Sequence, residues 1–414
     1  MHAPSARSPS SQPWALLLCA GLVLGMSMGS RHVQGLFMLP LLGERGWGRE
    51  AFSFALGLQA LVWGLLQPVV GWLADRFGTR RVIVLGCGLY ALGLAIESWA
   101  PTPAGLSWGV GVLIGLGLTA TTFSVVYGGL ARRVEPSRRG WAQGIAGGIG
   151  GLIQFALVPL VQAGIGSMGW SPTLLGMAAC AALTAGTAWV LDDRPQFGPE
   201  AGHQGGPAAP VPVGPVLRRA LGHSGFWLLN LGFLSCGFQL AFLGTHLPAY
   251  LRDAGMSAAD GVAAIALIAL TNAFGVYACG RLGDLYRRKY LLAGLYGVRT
   301  AAMLVFFLLP LSAVSLWIFA IVMGATWLGT VPLTTGVLAE IFGVRYLGTL
   351  FGLVFLGHQA GGFAGAWLGG LLFDATGSYS GMWLLSIGLG LASIALHLPI
   401  RDRSIESELA LQAA

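Results

Sequence analysis

The sequence predicts an all-α membrane protein of twelve transmembrane helices, arranged as two pseudo-symmetric six-helix bundles. Three observations carry that prediction: a composition too apolar for water, a regular succession of long apolar runs, and a short basic loop that occurs twice at equivalent places. Of 414 residues, 55% are apolar and 9% are charged, where soluble domains carry roughly 25% charged residues. Mean hydropathy is +0.73. The 65 glycines and 14 tryptophans suit close helix packing and aromatic anchoring at bilayer interfaces.

A membrane span needs roughly 20 apolar residues. Apolar runs read against polar breaks give spans at 14–40, 51–74, 81–100, 105–131, 140–164, 170–191, 225–251, 260–283, 289–310, 314–340, 347–373 and 380–400. The first run extends from Trp14 to Leu42, too long for a signal-peptide core, and no small-residue cleavage site follows it. The expected organisation is a cytoplasmic leader at 1–13, an N-terminal bundle at 14–191, a linker at 192–224, a C-terminal bundle at 225–400 and a tail at 401–414. The break from Asp192 to Arg219 contains Gly205-Gly-Pro-Ala-Ala-Pro-Val-Pro212 and reads as a flexible interhalf linker. The halves align at a near-constant offset: Pro40 with Pro248, Gly71 with Gly280, Gly140 with Gly348 and Gly144 with Gly352. A parallel repeat of this kind describes two bundles related by an axis along the membrane normal.

The net charge of +7 does not point to nucleic acid, because the charges sit in loops flanking apolar runs. Eighteen of the 23 Lys and Arg residues lie on the side of the termini. Three, Arg45, Arg49 and Arg252, lie on the other side; Arg31 and Arg299 fall inside spans. By the positive-inside rule both termini are cytoplasmic, in a multi-pass protein of a bacterial inner membrane. Five dispersed cysteines have no metal-ligand spacing and read as small buried hydrophobes. No metal or cofactor is expected, and no nucleophile–base pair at a shared depth suggests an enzyme.

The repeated loop is Gly71-Trp-Leu-Ala-Asp75-Arg76-Phe-Gly78-Thr-Arg80-Arg81, echoed by Gly280-Arg-Leu-Gly-Asp284-Leu-Tyr-Arg287-Arg288-Lys289. Gly71 allows close helix approach, and Asp75 can cap a helix or pair with arginines. Arg76, Arg80 and Arg81 hold the loop at an anionic surface. The pattern resembles the loop between helices two and three of the major facilitator superfamily. That resemblance implies a monomeric transporter in which Gly71, Asp75, Arg76, Gly78, Arg80 and Arg81, with Asp284 in the second copy, form a conformational latch. The second copy departs from the pattern, with Arg287 in the place of the second glycine.

Transport chemistry requires polar groups at membrane depth, where they are costly unless paired or facing water. All sixteen Asp and Glu residues read as loop, tail or helix-end positions, which argues against a pump for cations. Positive and titratable groups are present instead. Arg31 and His32 interrupt the first span, and His358 and Gln359 lie near the centre of the eleventh. An arginine can hold a carboxylate with a bidentate fork, and histidine exchanges protons near physiological pH. The plain alternatives are that Arg31 bonds carbonyls of the opposite half and that His358 is a packing residue. His32 lies about 100° around the helix from Arg31. Arg299, in a span outside the superfamily's cavity, reads as structural. Gln154, Gln239, Asn272, Tyr127 and Trp327 complete a set of candidate substrate-binding residues, with His358 as the proton-coupling group.

The segment Gly25-Met-Ser-Met-Gly29-Ser-Arg31-His32-Val-Gln-Gly35 resembles the first helix of the monocarboxylate transporter family and its oxalate/formate-exchanging bacterial relatives. Ala339-Glu340-Ile-Phe342-Gly343, followed by Gly352, is similar too. The resemblance implies proton-linked or exchange transport of a small organic anion by alternating access. One departure is that the family's helix-eight arginine falls at Val276, so the anion-binding charge must come from Arg31 or His32. Efflux of a neutral or amphipathic compound, with Trp63, Trp327 and phenylalanines as an apolar pocket, is the alternative. A non-transporting nutrient sensor is a remote third.

Overall fold

The structure, a computed structural model, describes residues 13–134, 139–191, 213–343 and 347–401. These are helical, with no strand among them. Among the described residues, eleven helices are long and apolar enough to cross a membrane. The predicted sixth span is present but changes character: an α-helix over Trp170–Thr184 tightens into a 3-10 helix over Ala185–Trp189.

The first bundle comprises α1 (Pro13–His32), α2 (Arg49–Phe77), α3 (Thr79–Trp99), α4 (103–133), α5 (Arg139–Met168) and α6 (170–189). The second comprises α7 (Ser224–Asp253), α8 (Ala258–Leu285), α9 (Arg288–Leu308), α10 (313–342), α11 (Leu347–Thr376) and α12 (Ser380–His397). The face at which α1 begins and α12 ends is called here the terminal face, the opposite one the distal face.

Counterpart helices agree in length. α5 and α11 each have 30 residues, and α3 and α9 each have 21. The fourth helix of each bundle is interrupted at the same depth, α4 at the extended Thr122 and α10 over 326–329. The hydropathy pattern predicts unbroken spans in both places, because neither break contains a charged residue or proline.

The first span also differs from expectation. α1 stops at His32, passes through a 3-10 turn at Gln34–Leu36, and resumes as a short helix over Met38–Arg45. Its counterpart α7 runs unbroken through Pro248. The expected linker is partly structured as well, since Val213–Leu221 forms a helix with Arg218 and Arg219 in its last turn, where they complement the helix dipole. The rest of the expected linker, 192–212, lies outside the described residues.

Within bundles, small residues set the helix spacing. Gly21, Gly25 and Gly29, one per turn along α1, back directly onto Ile149, Ile153, Gln154 and Leu157 of α5. Gly361 and Gly365 of α11 likewise rest on the α7 backbone at Leu234 and Phe238. The outward surface carries Leu85, Trp108, Leu183, Leu304 and Leu391 exposed. Water would penalise such a surface, and a hydrocarbon layer accepts it.

Candidate functional site between the bundles

The bundles meet along α2 against α11 and α5 against α8, with the α1 break against α7. On the distal face they are sealed. The Arg49 guanidinium forks onto Asp253 at 2.6 and 2.7 Å and donates to the Tyr379 hydroxyl at 2.8 Å. It also lies 3.7 Å from the centre of the Phe373 ring. The Asp374 carboxylate caps α2 from the other bundle, accepting from the backbone N–H of Arg49 at 3.0 Å and of Glu50 at 2.8 Å. Gly35 packs on the carbonyls of Gly244 and Thr245 so closely that a Cβ would not fit.

Toward the terminal face the contacts thin out. Pro68 still touches the Gly352 position at 3.9 Å, but Gly71, Gly144, Gly148, Gly280 and Gly348 all face open space. The close contacts that seal the distal side are therefore absent at these positions nearer the terminal face.

Arg31 and His32 sit just beneath the seal. Arg31 Nη1 donates to Gln59 Oε1 of α2 at 3.3 Å, and its guanidinium lies 5.4 Å from the centre of the Trp63 ring. It has no acidic partner among the described residues. His32 turns the other way and crosses to the second bundle. Its Nε2 lies 3.1 Å from the Ile265 carbonyl, and its ring meets Trp327 edge-on at 6.4 Å. The angle between the two side chains read from helical geometry thus separates a residue facing its own bundle from one bridging the two.

An aromatic path links Arg31 to His358. Trp63 meets Phe355 of α11 at 5.2 Å, and Phe355 stacks on the His358 ring at 5.8 Å. Nδ1 of His358 lies 3.0 Å from Gln359 Oε1, while its Nε2 is buried without a partner. The other candidates spread out. Gln154 lies behind Gly29. Tyr127 packs on Phe123 at 5.5 Å, with its hydroxyl against Gly147 of α5.

Gln239 and Asn272 hold the second bundle together. Gln239 donates to the Ser386 carbonyl at 2.9 Å and accepts from Arg299 at 3.4 Å. Asn272 Oδ1 accepts from the Leu328 N–H at 3.0 Å, inside the α10 break. Arg299 is fully buried and donates to the carbonyls of Thr326 and Trp327 in the same break, and to Cys236 Sγ at 3.2 Å. The break survives in an apolar setting because these side chains satisfy the backbone groups it frees.

Around the basic loop, Gly78 takes a positive φ of 91° between α2 and α3, a conformation that favours glycine. Arg76 lies over Trp72 at 5.3 Å, and Arg80 over Trp189 of α6 at 5.9 Å. Arg81 is exposed, and the Asp75 side chain lies outside the described residues. In the second copy, Arg288 bridges Asp284, at 3.6 Å, and Glu340 of α10.

Sequence reasoning missed Gln59 and the pair Gln34–Glu97. Gln59 was legible as an isolated amide amid apolar residues of α2, at the depth of Arg31. Glu97 reads as a helix-end acid, yet it is fully buried. A recess of about 250 Å³ between α5 and α8 is lined by Phe155, Ala263, Ala266, Leu267, Leu270 and Trp317. It lies apart from these groups and offers apolar contact alone.

Comparison with known proteins decides the family. The model of the Major Facilitator Superfamily matches residues 16–366. The chain belongs to this superfamily. It is 25% identical over 97% of its length to the uncharacterized MFS-type transporter YcxA of Bacillus subtilis (strain 168), covering 98% of that protein. It is 27% identical over 90% of its length to monocarboxylate transporter 13 of Rattus norvegicus, covering 85% of that protein. A bacterial homologue of the human lysosomal transporter Spinster superposes with a TM-score of 0.70 at 16% identity, covering 95% of each chain. That likeness is one of fold. This superfamily member is accordingly a multi-pass membrane transporter.

Proposed function

We propose that this superfamily member moves a small organic anion of the monocarboxylate type across the inner membrane by alternating access of the two bundles, proton-linked or by exchange. The observation that carries the reading is Arg31: a guanidinium inside the bundle, at the junction of the halves, held by one amide and one aromatic face and without an acidic partner among the described residues. A cation so placed is costly, and an anionic substrate supplies the missing charge through bidentate hydrogen bonds. The similarity to monocarboxylate transporters supports the same class. His358, with Nε2 unpartnered, is the proton acceptor of this reading. Trp327, which meets the His32 ring, and the more distant Gln154 and Tyr127 are further candidate contacts of this reading. With the terminal face cytoplasmic, as the Lys and Arg distribution implies, the conformation described opens inward. The loop from Gly71 to Arg81 and the Asp284–Arg288–Glu340 cluster latch it.

Thermal-shift measurement with lactate, pyruvate, formate and oxalate, on wild type and Arg31→Ala, tests the reading. A ligand at a hundredfold excess over its Kd stabilises the folded state by about 2.7 kcal/mol. One of these carboxylates should raise the midpoint of wild type and leave Arg31→Ala unmoved. Equal stabilisation of both proteins by neutral amphipathic compounds alone would instead make Arg31 structural. The Trp63–Phe355–His358 wall would then be the lining of an efflux site.

A further inference from the structure

Outside the path just described, one carboxylic acid among the described residues is buried with no charge to oppose it. Glu97, in the last turn of α3, is 0% exposed, and Gln34, in the 3-10 turn after α1, is 1% exposed. Gln34 Nε2 donates to Glu97 Oε2 at 3.2 Å. The second carboxyl oxygen of Glu97, Oε1, and the amide oxygen of Gln34, Oε1, are both buried with no donor.

Two orphan acceptors on one acid–amide pair are what an absent proton leaves behind. A carboxylate offers acceptors only, whereas a protonated carboxyl has one O–H to give. A single proton on Glu97 turns an unpaired oxygen into a donor, and the open carbonyl of the same Gln34 is the complementary acceptor. Exchanging the amide's nitrogen and oxygen, which are assigned rather than seen, leads to the same requirement, because two oxygens would then face each other.

Among the described residues no cation compensates the carboxyl. From its own helix it faces Tyr90, two turns away, whose hydroxyl is spent on the Ser27 carbonyl at 2.9 Å. From α1 it faces Gln34. Arg31, on the same helix, is held by Gln59 and Trp63. α4 has no ionisable side chain in its distal half, and α6 carries only Cys180. Arg49 and Glu50, the ionisable residues at the distal end of α2, are bound to the second bundle. Burying an ionised carboxylate under these conditions costs far more than burying the neutral acid.

The location ties the proton to conformation. Gln34 is next to Gly35, the residue pressed on α7 in the distal seal. Glu97 lies one helical turn below the exposed residues 101–104. We propose that Glu97 is a proton-binding site of the transport cycle. It is a neutral acid bonded to Gln34 while the α1–α7 contact is closed, and it releases its proton to water on the distal side when α7 withdraws and frees the turn holding Gln34. The part it plays in coupling rests on the proton-linked reading above. The measurements below need no substrate, so that reading and this one fail separately.

The first measurement is infrared difference spectroscopy of the reconstituted full-length protein at neutral pH, in H2O and D2O. Wild type should show the carbonyl stretch of a protonated carboxyl, and Glu97→Gln should lack it. A wild type without the band, or a variant that keeps it, overturns the proposal. Gln34→Ala supplies a second variant that retains the acid. Its band should persist and shift to the frequency of a carboxyl freed from its partner, and an unmoved band counts against the pairing. The second measurement is alkylation of a cysteine placed at Ala60, buried between the bundles beside Gly362, with a reagent applied from the distal side. Labelling in wild type should rise several-fold from neutral to alkaline pH and stay flat in Glu97→Gln. Identical pH dependence in the two proteins makes Glu97 a permanently neutral packing residue and ends the proposal.

Discussion

Arg31 and Asn272 show how one polar side chain serves chemistry in one place and architecture in another. Arg31 meets one acceptor and one ring face, leaving most of its five N–H donors free for a ligand. Arg31→Ala should therefore abolish carboxylate-dependent stabilisation while leaving the unliganded midpoint close to wild type. Asn272 spends its carbonyl oxygen on architecture, as the acceptor for the Leu328 N–H in the α10 break. Asn272→Ala leaves that part-buried N–H unpaired, at a cost of about 1 kcal/mol. A lowered thermal midpoint in detergent should report the loss whatever ligand is present, and an unchanged midpoint would mean that another group satisfies the break. Both residues read alike as polar groups inside an apolar run, because hydropathy records depth and says nothing about which neighbour takes the hydrogen bond.

The elements that matter most are those that end early. α1 stops at His32 so that Arg31 stays in its own bundle, His32 reaches Ile265 across the interface, and Gly35 meets α7. α2 starts at Arg49, where its first N–H groups take the Asp374 carboxylate of the second bundle as a cap, a placement the helix dipole favours. The Arg49–Asp253 pair is partly exposed, with Asp253 37% accessible. Water and salt screen such a pair, so its contribution to global stability is small. Its effect should show in the balance of conformations instead. Asp253→Ala removes the fork on Arg49 and should raise distal alkylation of a cysteine at Ala60 above the native-cysteine background, with little change in midpoint. Unchanged labelling would assign the seal to the apolar contacts beneath it.

At the scale of the whole molecule, the two bundles touch distally, and several glycines nearer the terminal face have no close neighbour. Gly144 is one of these, its surroundings empty to 4 Å. Gly144→Leu should leave this conformation undisturbed, with a wild-type midpoint. Under alternating access the same side chain obstructs closure of the terminal face, so counterflow in liposomes should fall at least tenfold. Full counterflow would show that closure brings no helix against α5 at this point.

The chain of apolar runs, the matched helix pairs and the basic loop were legible in the sequence because they follow from local facts: how many apolar residues span a bilayer, and where charge must stay in water. The membrane class and the two bundles follow from those facts; the superfamily came from the resemblance of the Gly71–Arg81 loop and was decided by the family match over residues 16–366. The breaks at Thr122 and 326–329 were not legible, since no proline or charge marks them. They depend on Arg299 and Asn272 arriving from other helices to satisfy the freed backbone. Glu97 misled for the same reason in reverse. Its place near a helix end predicts contact with water, and only the packing of α1, with Gln34 laid over it, takes that water away. Which buried polar groups are paired, and which are left open for a substrate or a proton, is set by neighbours distant in the chain, and so only the tertiary structure decides it.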